Sequence, residues 1–171
     1  MIPDLQVLYA CNEGWWAHYW SDALAAHPCE KWTTNAAAAK RYGVNWIAER
    51  DGRGLSDGPH IHHGHGSGYS LLNLVYLMGA RRVVLLGYDM KYAPDYDGRR
   101  RDVGSKPRHY WIGGEYPPEL QHWPSVKVVN GVHVGLLSLY QSVADQGLIE
   151  IVNCSPSTAL TCFPKCAIED L

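Results

Sequence analysis

The 171-residue chain has almost no excess charge, no long apolar run and no paired-cysteine pattern, and each shortage excludes a class of protein. A formal net charge of −2 denies it the general basic field of a strong nonspecific nucleic-acid binder, although local recognition of nucleic acid stays open. No stretch reaches the roughly 18 apolar residues of a membrane span. The start Met1-Ile2-Pro3-Asp4 lacks the basic and apolar regions of a signal peptide, so a cytoplasmic location without membrane attachment is expected. Cys11, Cys29, Cys154, Cys162 and Cys166 form an odd set without a C-x-x-C pair, which argues against both a secreted disulfide framework and a structural zinc site. Internal repeats are absent, and low complexity is confined to Ala36 through Ala39.

Against those absences stand 46% hydrophobic and 19% charged residues, enough for one compact domain with a real core across residues 1–171. The densest information lies between His65 and Met90. Gly66 and Gly68 permit a close backbone approach, Ser67 stands where a helix N-cap belongs, and Leu71, Leu72, Leu74, Val75 and Met78 recur at helical spacing. Gly79 closes that helix, and Val83 to Leu86 form the short apolar run of a parallel strand covered on both faces. Tyr88 and Asp89 then fall at the strand's carboxyl end, where open α/β sheets bind ligands, while unpaired N–H groups at the helix start favour an anion.

The rest of the chain continues the alternation. Strands are expected at Leu5 to Ala10, Lys31 to Thr34 and Val44 to Ala48, with helices at Trp15 to Ala26 and, between an Asn35 cap and a Gly43 stop, Ala36 to Tyr42. Glu49 to His65 is polar and glycine-rich, and reads as a loop. Residues 91–126 are irregular, with prolines, tyrosines and the run Arg99-Arg100-Arg101, and suggest an insertion or lid. A helix from about Val134 to Gln146 and a strand at Ile149 to Val152 complete the pattern. The whole predicts a single three-layer, Rossmann-like α/β domain with a mostly parallel sheet.

Several of these pieces resemble a bacteriophage family, the norphogenetic proteins, themselves similar to sialyltransferase-type Rossmann-like domains. The matching segments are Val7-Leu8-Tyr9-Ala10-Cys11-Asn12 with Trp15-Trp16, then Gly66-Ser67-Gly68-Tyr69, Leu72-Asn73-Leu74 and Leu85-Leu86-Gly87-Tyr88-Asp89-Met90. Val152-Asn153-Cys154-Ser155-Pro156 and Cys162-Phe163-Pro164 extend the likeness nearly to the end. Members of the family usually begin with a further strand and a Gly-x-Gly-Pro-Ser-like loop, which this sequence does not show before Leu5. An exposed sheet edge, and hence a homo-oligomer, is the expected consequence.

The resemblance implies a glycosyltransferase that moves a sugar from a nucleotide-sugar donor to a hydroxyl, with modified phage DNA as one acceptor and the host cytoplasm as its location. It implies donor contacts from Asn12, Gly66, Ser67, Gly68, Tyr69, Asn73, Tyr88 and Asp89. It makes His109 the general base, since imidazole accepts a proton near neutral pH, and lets Arg108 neutralise the departing phosphate. The chain departs from the family at Glu115-Tyr116, where relatives often carry Asp-His. Two alternatives stay open: a module that binds or sequesters a nucleotide without turnover, and a diphosphokinase-like enzyme in which Asp89, Asp95 and Asp97 supply part of a magnesium cluster. No cofactor is required by the sequence, though a divalent metal is compatible with it. The run His60, His62, His63 and His65 invites a metal reading, but close spacing in a loop need not aim several rings at one ion, so none is assigned as a ligand.

Overall fold

The computed structural model describes residues 4–64, 66–90 and 126–171, with the side chains of the last stretch described from residue 135 onward. The elements are β1 (Val7–Tyr9), α1 (Glu13–Tyr19), α2 (Asp22–Ala26), β2 (Glu30–Thr33), α3 (Ala36–Tyr42), β3 (Asn45–Trp46), β4 (Ala48–Asp51), β5 (His60–His63), α4 (Ser67–Leu77), β6 (Arg82–Leu85), α5 (Val126–Gln146) and β7 (Glu150–Asn153), followed by a 3-10 turn at Ile168–Asp170. Among the described residues every ladder is parallel: β1 with β2 and β2 with β3, β4 with β5, and β6 with β7. This is an α/β protein built from small ladders. Among the described residues the strands fall into three small parallel ladders, two of which are closely joined. Only Ile47 separates β3 from β4, and its N–H donates to Thr33, so consecutive parts of one extended stretch pair first with β2 and then with β5.

Local chemistry explains where elements begin and end. The Asn35 side chain accepts from the Ala38 N–H at 2.8 Å, and Gly43 ends α3 in the left-handed region at φ 66°. Nothing lies within 4 Å of a Cβ built on Gly43, so replacing it by alanine costs backbone strain alone. Denaturant unfolding of Gly43→Ala should show a loss of about 1 kcal/mol. The helix expected across Trp15 to Ala26 is two helices, because Ser21 leaves helical geometry and caps α2 through the Leu24 N–H. Two other boundaries move: α5 begins at Val126 rather than Val134, and the stretch expected as a loop contains all of β5.

Side-chain packing then ties the ladders together. Tyr9, Ile61 and Leu74 share one core, Ala10, Trp16 and Ala38 a second, and Tyr69, Leu72, Leu85, Tyr140 and Ile151 belong to a third. Helix α4 contributes to the first and the third, through Leu74 and through Tyr69 with Leu72. It is therefore the element that joins β1 and β5 to β6 and β7. Strand β6 is not covered on both faces: Leu85 is buried, but Val84 is 36% and Leu86 57% exposed. The apolar run alone could not reveal this, since side chains alternate across a strand.

Candidate functional site

The parallel ladders send the carboxyl ends of β1, β4 and β5 in one direction, and two contacts bring them to the glycine loop. Cys11, just beyond β1, places its Sγ 3.2 Å from the Oγ of Ser67. Tyr88, beyond β6, donates its hydroxyl to the Gly68 carbonyl at 3.0 Å, so the end of β6 meets the same loop. The Tyr88 N–H is itself held by the Ser155 hydroxyl at 2.8 Å, beyond β7. Loops after β1, β5 and β6 thus converge on the start of α4.

That helix start is distinctive. Gly66, not Ser67, occupies the N-cap, no side chain caps the helix, and Ser67 is its first helical residue. The reason is visible in the Cys11 contact: the Ser67 hydroxyl faces the β1 loop rather than the N–H groups of its own helix. A Cβ on Gly68 would lie 3.0 Å from the Tyr88 ring and 3.2 Å from the Tyr140 hydroxyl, so glycine lets the aromatic wall close against the loop. Burial pushes the Tyr88 hydroxyl up to about 12 and raises Tyr140 well above its ordinary range, which keeps both as neutral hydrogen-bonding groups. Asn12 is exposed, and its Oδ1 caps α1 by accepting from the Gly14 N–H at 2.7 Å. Asp89 is half-buried, with its carbonyl accepting from Ala159.

Tyr69 and Asn73 are placed differently. Both are fully buried beneath the loop and turn toward residues 54–56. The Gly54 carbonyl accepts from Tyr69 Oη at 2.8 Å, from Asn73 Nδ2 at 3.2 Å and from His62 Nδ1 at 3.0 Å, while Asn73 Oδ1 accepts from the Ser56 N–H at 2.8 Å. A carbonyl only accepts, so the His62 proton is on Nδ1. These side chains hold the segment before β5 against α4, and in that way they position the glycine loop.

Sequence reasoning missed one pair. The His63 Nδ1 lies 3.0 Å from Glu49 Oε2, with both side chains a little over a third exposed. Period-two alternation puts His63 on the same face of β5 as Ile61, and Ile61 packs with Leu74 of α4 and with Tyr9. Glu49 is the register partner of Ile61, so the carboxylate and the imidazole sit on the α4-covered face of the β4–β5 pair. The Tyr9 hydroxyl shares these surroundings. Burial raises its pKa against the hydrogen-bonding pull of Thr34 and Ser70, and the Glu49 charge adds to the rise. The signal in the sequence was a histidine at strand end, obscured because the histidine run read as a loop. His109, Arg108 and the insertion at 91–125 lie outside the described residues, as does His65. Among the described residues, no group of three or more His, Cys, Asp or Glu side chains is arranged to hold a metal ion.

Comparison with protein-family models, curated proteins and solved structures found no match. Among the described residues no helix is long and apolar enough to cross a membrane.

Proposed function

We propose that this chain is a Rossmann-like transferase that takes a sugar from a nucleotide-sugar donor and passes it to a hydroxyl acceptor. The observation that carries the reading is the convergence of the Cys11 and Tyr88 loops on the α4 start, which no side chain caps. Backbone N–H groups and the positive end of an 11-residue helix favour a phosphate there. The sugar and the transfer step come from the resemblance to the phage family, as do modified phage DNA as acceptor and the host cytoplasm as location. The homo-oligomer belongs to the same reading, supported by the exposed Val84 of β6 and Leu86 just beyond it; a monomer by light scattering would remove it.

Within the described residues the general base is His63. Its Nδ1 donates to the Glu49 carboxylate, which fixes the orientation of the ring. The imidazole takes the acceptor's hydroxyl proton as the oxygen bonds to the anomeric carbon, and the nucleotide departs with the electron pair of the broken glycosidic bond. Arg108 neutralises the departing phosphate, and His109 is the competing base that the resemblance supplies.

Calorimetric titration with nucleotides and nucleotide sugars, followed by product release with a hydroxymethylated DNA acceptor, tests the proposal. Saturable donor binding with turnover supports it, and no binding of any nucleotide overturns it. Binding without turnover would establish the nucleotide-sequestering module instead. That second reading draws support from Asn12, whose amide oxygen is committed to capping α1, and from Tyr69 and Asn73, which are committed to residues 54–56. In either case Ser67→Leu places an apolar branch at the proposed phosphate position and should weaken donor binding about tenfold or more, a change of at least ~1.4 kcal/mol read directly by calorimetry.

A further inference from the structure

The carboxyl end of β7 receives a returning strand of the chain's own tail. Asn153 and Lys165 form a parallel bridge: the Asn153 N–H donates to the Pro164 carbonyl at 2.8 Å, and the Cys166 N–H donates to the Asn153 carbonyl at 3.3 Å. One step beyond that bridge on each segment stand Cys154 and Cys166, both free thiols. Cα atoms of neighbouring strands lie about 4.8 Å apart. That is within the roughly 4.4–6.8 Å that a disulfide spans. Each cysteine directly follows a bridged residue, which brings the two thiols beside one another at the end of β7. Their proximity is felt electrostatically: burial raises the Cys154 thiol and the adjacent Cys166 raises it further.

We propose that Cys154 and Cys166 are a reversible oxidation site, a dithiol that closes to a disulfide and fastens the tail to the end of β7. The oxidant is a small disulfide of the glutathione type. Cys166 is half-buried and Cys154 buried, which sets the order of events. The Cys166 thiolate, having lost its proton to solvent, attacks one sulfur of the small disulfide and expels the other as a thiolate. The Cys154 thiolate then attacks Cys166 in this mixed disulfide, releases the second small thiol and forms the intramolecular bond. Two protein thiols are oxidised, one small disulfide is reduced to two thiols, and two protons are exchanged through solvent. Before oxidation Cys166 Sγ donates to the Ala167 carbonyl at 3.2 Å, a contact that closing the disulfide gives up.

The test uses the full chain, reduced and then equilibrated with oxidised glutathione, alkylated at its remaining thiols and mapped by peptide mass spectrometry. The expected product is one peptide pair joined through Cys154 and Cys166, lost again on treatment with dithiothreitol, in a protein whose thermal midpoint rises by several degrees. Cys154→Ser should stop the reaction at a glutathione adduct on Cys166, and Cys166→Ser should leave Cys154 reduced. Circular dichroism establishes that each variant is folded. The proposal fails if the folded wild type keeps both thiols, if Cys154 or Cys166 pairs with Cys11, Cys29 or Cys162, or if Cys166→Ser still gives an adduct on Cys154. Donor binding plays no part in these readouts, so the result is independent of the proposed transferase.

Discussion

In His63→Gln, turnover should fall by a factor of about 10²–10⁴ while calorimetric donor affinity holds. Glutamine keeps much of the volume and can still accept a hydrogen bond, but it cannot carry the acceptor's proton at neutral pH. The proposed phosphate position is the α4 start, which His63 does not form, and so donor binding should not depend on the imidazole. Glu49→Ala should give a smaller loss of turnover, because the ring keeps its basic nitrogen and loses only the carboxylate that fixes its orientation and tautomer. A surface ion pair with no catalytic part would behave otherwise. Exposed pairs of this kind contribute about 0–1 kcal/mol to stability, so both variants would then unfold almost as the wild type does and turn over donor unchanged. His109→Ala completes the comparison. Loss of turnover there, with His63→Gln unaffected, returns the base to the residue that the family resemblance implied; loss in both would place the two histidines in one mechanism.

How much of this could be read from the residues depends on how local the determining physics is. Helix α3 was fully legible, since Asn35, the alanine run and Gly43 carry their own start and stop signals and need no tertiary partner. The start of α4 was legible as a place but not in detail. Ser67 has the ordinary chemistry of an N-cap, yet its hydroxyl faces Cys11, a residue 56 positions earlier, and no local rule weighs that contact. Strand β5 was missed because three of its four residues are histidine, which hides its one fully buried side chain, Ile61, among polar neighbours. The exposed side of β6 was missed for the opposite reason, as a continuous apolar run reads the same whether or not something covers both faces. At the site, the glycine loop and Tyr88 are hydrogen-bonded neighbours. The sequence could not show that Tyr69 and Asn73 turn inward, because that follows from the position of the Gly54 carbonyl.

The inward turn has a measurable consequence that separates two residues with similar surroundings. Asn73→Leu removes the acceptor of the Ser56 N–H, a buried group for which no second partner exists among the described residues. An orphaned buried amide costs about 1–3 kcal/mol, and the lost Asn73 contact to the Gly54 carbonyl adds to it. Tyr69→Phe removes one of three donors to that carbonyl, which still accepts from His62 and Asn73. Its cost should stay below about 1.5 kcal/mol, the usual net worth of one neutral hydrogen bond. Denaturant unfolding of both variants should therefore rank Asn73→Leu as clearly the more damaging, although tyrosine is the larger side chain and both are fully buried. The reverse order would mean that the segment before β5 is held chiefly by the Tyr69 contact. If the order holds, Asn73→Leu should also loosen donor binding without touching the phosphate position, because Asn73 ties residues 54–56 to α4 through both its amide oxygen and its amide nitrogen. A variant that is destabilised yet binds donor normally would separate the anchoring of this segment from the shape of the glycine loop, and the loop would then owe its geometry to Cys11 and Tyr88 alone.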